Sequence, residues 1–245
     1  MKLGDVLHER SEAAVRWLTL DRPEALNAFT AADYVALGEA IDAAGADQAM
    51  RVVVLTGAGR AFSAGADRSL FEGPLDPATS DHVRDAFGAM LLALARCEKP
   101  IIAAVNGLAV GVGATILLHC DLVILADSAR LRLPFTGLGL APEAASSVLL
   151  PMRVRWGDAL WWLLSSEWVS ATEALAAGLA WRVVPDDDLA FNAAAVAQTL
   201  AALDPASVAA TKRLVLEGRV ELVTAALDRE NAALESLLGG RSTGD

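Results

Sequence analysis

The chain has 245 residues, 54% of them apolar, and a net charge of −11 from 31 acidic and 20 basic side chains. That length suffices for one full core and forces no second independent domain. The acidic balance excludes generalised nucleic-acid binding, which needs a basic surface, and no apolar run reaches the length that spans a bilayer.

The start, with Lys2, Asp5, Glu9 and Arg10 close together, lacks the apolar core of a signal peptide, so the expected location is the cytoplasm. Ala13 to Leu20 alternates as a strand, and Asp21-Arg22-Pro23-Glu24 ends it as a turn. Thr30 is placed to N-cap a helix running to about Ala44, with Tyr34, Leu37 and Ile41 on its core face. Arg51 to Thr56 is nearly all apolar, which suits a strand covered on both faces. Small residues then dominate Ala61 to Asp67, so that backbone rather than side chains meets whatever binds there. Phe71 to Ser80 reads as a mobile connection, and Asp81 to Arg96 returns to helical spacing.

The run from Lys99 to Gly113 reads as strand, glycine turn and helix, because Pro100 precedes a β-branched stretch and three glycines follow within seven residues. Such a junction points N–H groups outward, where they can hold a developing oxyanion. Asp121 to Ala126 repeats the buried-strand pattern, and Arg130 to Leu133 alternates like an edge strand. Pro142 fits the first turn of a helix, which sets Glu143 beside the helix's positive end. Gly157 to Leu164 is dense in tryptophan and leucine, while Ser170 and Glu173 have capping-box spacing ahead of a helix that Gly178 ends. Asp186-Asp187-Asp188 caps a further helix, Val208 to Leu216 and Val220 to Leu238 read as two more, and the tail beyond is loose. Strands separated by helices predict an α/β unit.

Cys97 and Cys120 lie in apolar surroundings and read as small buried hydrophobes. His8, His82 and His119 are scattered, and no cluster has metal-ligand spacing, so no metal is expected. Gly107, Gly111 and Gly113 do not have dinucleotide-loop spacing.

Phe62-Ser63-Ala64-Gly65-Ala66-Asp67, Lys99 to Gly107 with its glycine turn, Cys120 to Ala126, and Gly178-Leu179-Ala180 with Val183-Val184-Pro185 occur in one order. In that order they make the chain resemble the crotonase, or enoyl-CoA hydratase/isomerase, superfamily over residues 13–235. The resemblance implies an α/β spiral of ββα repeats, divided as a core over 1–190 and a C-terminal helical trimerisation region over 191–245. It also implies homotrimers or dimers of trimers, and an acyl-CoA thioester whose coenzyme A is part of the substrate, with no separate cofactor. Carried over by position, the oxyanion donors are the N–H groups of Ala66 and Val112. The backbone at Ala25 and Leu26, the segment Ser63, Ala64, Gly65 and Asp67, and Gly111 and Phe135 take the substrate positions. Arg22, Arg68 and Lys212 are candidate phosphate contacts.

Relatives that hydrate resemble one another in using two glutamates, at positions where this chain has Thr115 and Phe135. Neither side chain can do a carboxylate's work. The segment Pro134 to Glu143 with Ser146-Ser147 instead resembles the peroxisomal-type Δ3,Δ2-enoyl-CoA isomerases, which implies Glu143 as the single proton shuttle, with Phe135, Leu138, Leu140 and Val148 as apolar walls. Capping of the helix dipole is the alternative for Glu143. At the level of the whole chain, a hydratase or another crotonase reaction, and a non-catalytic acyl-CoA-binding subunit, stand beside the isomerase.

Overall fold

The computed structural model describes residues 2–3, 7–70 and 77–241. Its strands fall into a seven-stranded and a four-stranded sheet. β1 (Lys2–Leu3), β2 (Leu7–Glu12) and β3 (Val15–Leu20) form an antiparallel meander that feeds the larger sheet. The β2–β3 turn is made by Ala13 and Ala14, both at positive φ. The predicted strand over Ala13 to Leu20 therefore starts two residues later, because the hairpin takes its turn from alanines where glycine or asparagine is usual.

α1 (Ala31–Ala46) starts at a full capping box, in which the Thr30 hydroxyl and the Asp33 carboxylate each satisfy the other's backbone N–H. β4 (Val52–Gly57) enters the larger sheet parallel to β3, and β5 (Ala61–Ser63) leaves it for the smaller one. α2 (Pro77–Arg96) packs against α1. β6 (Ile101–Val105) again joins the larger sheet and β7 (Leu108–Val110) the smaller, before the single turn of α3 (Val112–Thr115). β8 (Leu122–Ala126) and β9 (Arg130–Arg132) repeat the alternation ahead of α4 (Ser146–Arg153) and α5 (Trp156–Ser165). Strand, strand, helix thus recurs three times as a spiral between two sheets.

The middle strands β4, β6 and β8 are buried and apolar along most of their length, as strands covered on both faces require. β10 (Trp168–Ser170) pairs antiparallel with β9, so Arg130 to Arg132 is an interior strand and not the expected edge. Its partner lies 38 residues further on and leaves no local signal. α6 (Ala171–Ala177) carries the predicted Ser170–Glu173 capping box and ends at Gly178 with φ 100°. β11 (Arg182–Val184) completes the larger sheet beside β8. α7 (Leu189–Ala201) lies across β3, β4, β6 and β8, α8 (Pro205–Val215) follows, and α9 (Arg219–Arg241) packs on α2 and α4.

Two further expectations change. α2 begins at Pro77, so part of the connection placed over Phe71 to Ser80 is helix, and residues 71–76 lie outside the described residues. α9 runs to Arg241, past the predicted end at Leu238, and residues 242–245 lie outside the description. Cys97 and Cys120 are free and buried, and burial pushes the Cys120 thiol up to about 12. Among the described residues no single helix is long and apolar enough to cross a membrane.

Candidate active site

The smaller sheet brings two small-residue segments into backbone contact. β5 runs parallel to β7, and past its end Gly65 adopts φ +96° so close to the next turn that a Cβ there would stand 2.7 Å from the Val110 carbonyl oxygen. Gly113 packs as tightly, with Ser63 O only 2.4 Å from where its Cβ would be. Between these contacts Gly111, at φ 53° and ψ −125°, turns the chain from β7 into α3. The sequence expectation of strand, glycine turn and helix thus gains the short strand β7, and the helix is one turn long. One turn carries little dipole, so local N–H groups matter more than the helix behind them. Among the described residues neither the Ala66 nor the Val112 N–H has a hydrogen-bond partner.

The other expected substrate segment is laced to the first. Ala64 N–H donates to Leu26 O, Phe29 N–H to Gly65 O and Asp67 N–H to Phe29 O, each at 2.8 Å. Leu26 and Asn27 both sit at positive φ. Buried Asn27 fixes that turn, because its side-chain amide donates to Ala58 O and Ala61 O while its oxygen accepts the Arg22 N–H. Ser63 is also buried, and its hydroxyl donates to Asn27 O and accepts the Gly65 N–H, so its side chain is committed to the scaffold. Ala25, Leu26, Ala64, Gly65, Ala66 and Asp67 therefore form one backbone ledge.

Glu143 approaches this ledge from the third repeat: a Cβ on Gly111 would be 3.8 Å from its Oε1. Burial, and secondly the negative charge of Glu230, push its carboxyl up to about 7. α4 starts only at Ser146, so Pro142 and Glu143 lie in a loop and not in the helix's first turn. The helix terminus is capped by another group: Glu230 of α9 accepts the N–H of Ala145 at 2.8 Å and that of Ser147 at 2.9 Å. Capping thus belongs to Glu230, and Glu143 is left with a half-buried, proton-retaining carboxyl.

Thr115 and Phe135 are both buried. The Thr115 hydroxyl has no partner among the described residues. Leu138 is 59% exposed, while Leu140 and Val148 pack against the core. Arg22 Nη2 donates to Ala28 O and to the Asp67 carboxylate, both at 2.5 Å. The Asp67 carboxyl is held below the usual range, first by the Ser69 backbone N–H, with Arg22 adding to it. Lys212 Nζ donates to Lys99 O and Asp121 Oδ2 at 2.6 Å each, joining α8 to the start of β6 rather than facing the ledge. Arg68 is exposed in a short turn over 68–70.

Three residues of the site were not assigned to it from sequence. Buried Tyr34 stacks on Phe29, and its hydroxyl is raised by burial and then by the charges of Glu143 and Asp33. His119 is buried with Nε2 2.9 Å from Ala144 O, and burial lowers its pKa to about 3. It is therefore neutral and donates through Nε2. The third is Glu230. None had a local signal for the site, since the Glu143 loop that Tyr34, His119 and Glu230 meet lies more than twenty residues from each of them. Among the described residues no group of His, Cys, Asp and Glu could hold a metal ion.

A spiral of strand, strand and helix with a ledge of backbone donors and the Glu143 carboxyl beside it defines a crotonase-type acyl-CoA enzyme. The chain belongs to the enoyl-CoA hydratase/isomerase family, whose model matches residues 10–238. It is 39% identical to a probable enoyl-CoA hydratase of Rhodobacter capsulatus, over 98% of this chain and 91% of the relative. It is 35% identical to the 1,2-epoxyphenylacetyl-CoA isomerase of Escherichia coli, over 89% of this chain and 85% of the relative. The crystal structure of an enoyl-CoA hydratase/isomerase from Pseudoalteromonas atlantica superposes with a TM-score of 0.88 at 39% identity, covering 96% of this chain and 92% of that one.

Proposed function

We propose that the chain is an enoyl-CoA isomerase that moves a double bond from the Δ3 to the Δ2 position. The observation that carries this reading is the carboxyl of Glu143, held up to about 7 beside the Gly111 turn, while the two positions that hold glutamates in the hydratases it resembles are Thr115 and Phe135. The Glu143 carboxylate takes a proton from C2 of the 3-enoyl thioester. The electron pair moves toward the thioester oxygen, which the Ala66 and Val112 N–H groups receive, and the C3–C4 double bond becomes part of a dienolate. As the pair returns, C4 takes the proton back from the carboxylic acid and the double bond stands at C2–C3. The same atoms enter and leave, and no water is consumed. A carboxyl near 7 suits both halves, because it is close to balance between base and acid at neutral pH.

A hydratase is the second reading, favoured by the name of the Rhodobacter capsulatus relative. Incubation with 3-enoyl-CoA and with 2-enoyl-CoA in labelled water separates them. Isomerisation exchanges only carbon-bound protons and is lost in Glu143→Gln, whereas incorporation of a labelled hydroxyl overturns the isomerase and full isomerase turnover in that variant overturns Glu143 as its proton shuttle. The exposed Met152, Trp156, Trp161 and Leu164 of α4 and α5 support self-association, for which a homotrimer is the expected form.

A further inference from the structure

The loop that carries Glu143 is strained and held from behind. Ala144 and Ala145 have φ of 59° and 57°, two successive left-handed residues without a glycine. Each is strained in that conformation and persists only where the surroundings fix it. Fixing comes from two buried groups: His119 Nε2–H donates to Ala144 O at 2.9 Å, and Glu230 takes the donors that follow. Oε2 of Glu230 accepts the Ala145 N–H at 2.8 Å, and Oε1 accepts the Ser147 N–H at 2.9 Å and the Ser147 hydroxyl at 2.5 Å. Ala145, the N-cap of α4, has no side chain that could do this itself.

We propose that Glu230 is a positioning residue for Glu143: by collecting three donors of the 145–147 turn it locks the left-handed alanine pair, and through that pair it sets where the Glu143 carboxyl points. The proposal rests on the isomerase reading for its catalytic consequence, but not for its geometry. Both Glu230 oxygens are acceptors here, which is the arrangement the ionised form satisfies; burial pushes its carboxyl up, and the Ser147 and Ala145 donors oppose that rise. Its charge then has a second effect, because a buried negative group favours a proton on its neighbour. Among the described residues, Tyr34 from α1 and Glu230 from α9 interact electrostatically with Glu143. His119, behind the loop, stays neutral under burial and the nearby Arg219 and Arg153, and Arg229 lies beside Glu230. Removing the Glu230 charge therefore lets Glu143 ionise at lower pH.

The test uses the full chain as Glu230→Gln and Glu230→Ala. The Glu143 carboxyl is titrated by carbon-13 NMR, with its resonance assigned by loss in Glu143→Gln, and kcat and KM for 3-enoyl-CoA are followed against pH. In Glu230→Gln the titration and the acid limb of the rate profile both move below the wild-type position, and kcat falls about tenfold or more while KM stays within about twofold. Glu230→Ala loses more kcat in the same direction. If it does not fold, the isosteric glutamine variant decides alone. Wild-type titration with wild-type kcat in folded Glu230→Gln overturns the proposal. A shifted Glu143 titration in a chain whose wild type does not isomerise 3-enoyl-CoA would leave the clamp standing and remove the isomerase reading instead.

Discussion

Gly111 and Glu143 face each other so closely that a methyl group on the glycine would lie 3.8 Å from the carboxyl oxygen Oε1. This contact joins the second strand–strand–helix repeat to the third. It sets the one carboxyl of the proposed reaction beside the residue that precedes Val112, whose N–H is unpaired among the described residues. A proton acceptor and an oxyanion donor are thereby supplied by neighbouring turns of one spiral.

Substituting Gly111 tests that junction. Its φ of 53° with ψ of −125° belongs to glycine, so Gly111→Ala must either carry strain of about 1–3 kcal/mol or rotate the turn. Rotation re-aims the Val112 N–H. Losing one such donor costs about 100-fold or more in kcat. Steady-state kinetics with 3-enoyl-CoA, beside a denaturant titration, should show the kcat loss exceeding any rise in KM.

The raised carboxyl of Glu143 makes opposite demands on activity and stability. Activity needs the ionised base, so kcat/KM should rise through about pH 7 and then level. Stability runs the other way. A carboxyl raised from 4.5 to about 7 on folding binds its proton more tightly in the folded state. Its contribution is full below 4.5 and lost as pH rises through about 7, at most about 3 kcal/mol in all. Glu143→Gln should therefore match the wild type in thermal stability near pH 4 and exceed it near pH 8, while being inactive at both. Equal melting temperatures at the higher pH would show that the ionised carboxyl is not destabilising in the fold.

How far the chain could be read in advance depends on the range of the interactions. Thr30 with Asp33 and Ser170 with Glu173 form their capping boxes across three residues, and the buried strands β4, β6 and β8 declare themselves by unbroken apolar runs. β7 has only three residues between glycines, too few for a period to show. Pro142-Glu143-Ala144-Ala145 looks like a helix start because alanine is the strongest helix former, yet both alanines are left-handed. What holds them there is Glu230, 83 residues beyond Ser147. No local pattern encodes that distance.

Arg22 offers a direct choice between a structural and a ligand role. Its guanidinium already bridges Ala28 O and Asp67 Oδ2, so it steadies the ledge that carries the Ala66 N–H. Arg22→Ala should lower kcat by a similar factor for a CoA thioester and for a truncated thioester lacking the nucleotide. A loss confined to the CoA substrate would instead assign the residue to a phosphate.

Gly113 is the tightest point at which packing reaches the proposed oxyanion site. A Cβ there would be 2.4 Å from Ser63 O and 2.9 Å from Ser63 Cβ, contacts that flexible side-chain motion cannot relieve. Ser63 cannot retreat freely either, since its hydroxyl ties Asn27 O to the Gly65 N–H. Gly113→Ala should therefore cost about 1–3 kcal/mol. It should also lower kcat, because the displacement passes through Gly65 to Ala66. Gly88→Ala, in α2 with nothing within 4 Å of its added Cβ, is the matched control and should gain up to about 1 kcal/mol. Denaturant titration and kinetics on both variants check the pair: a Gly113 variant as stable and as active as the wild type would mean that β5 and α3 can separate without disturbing the ledge.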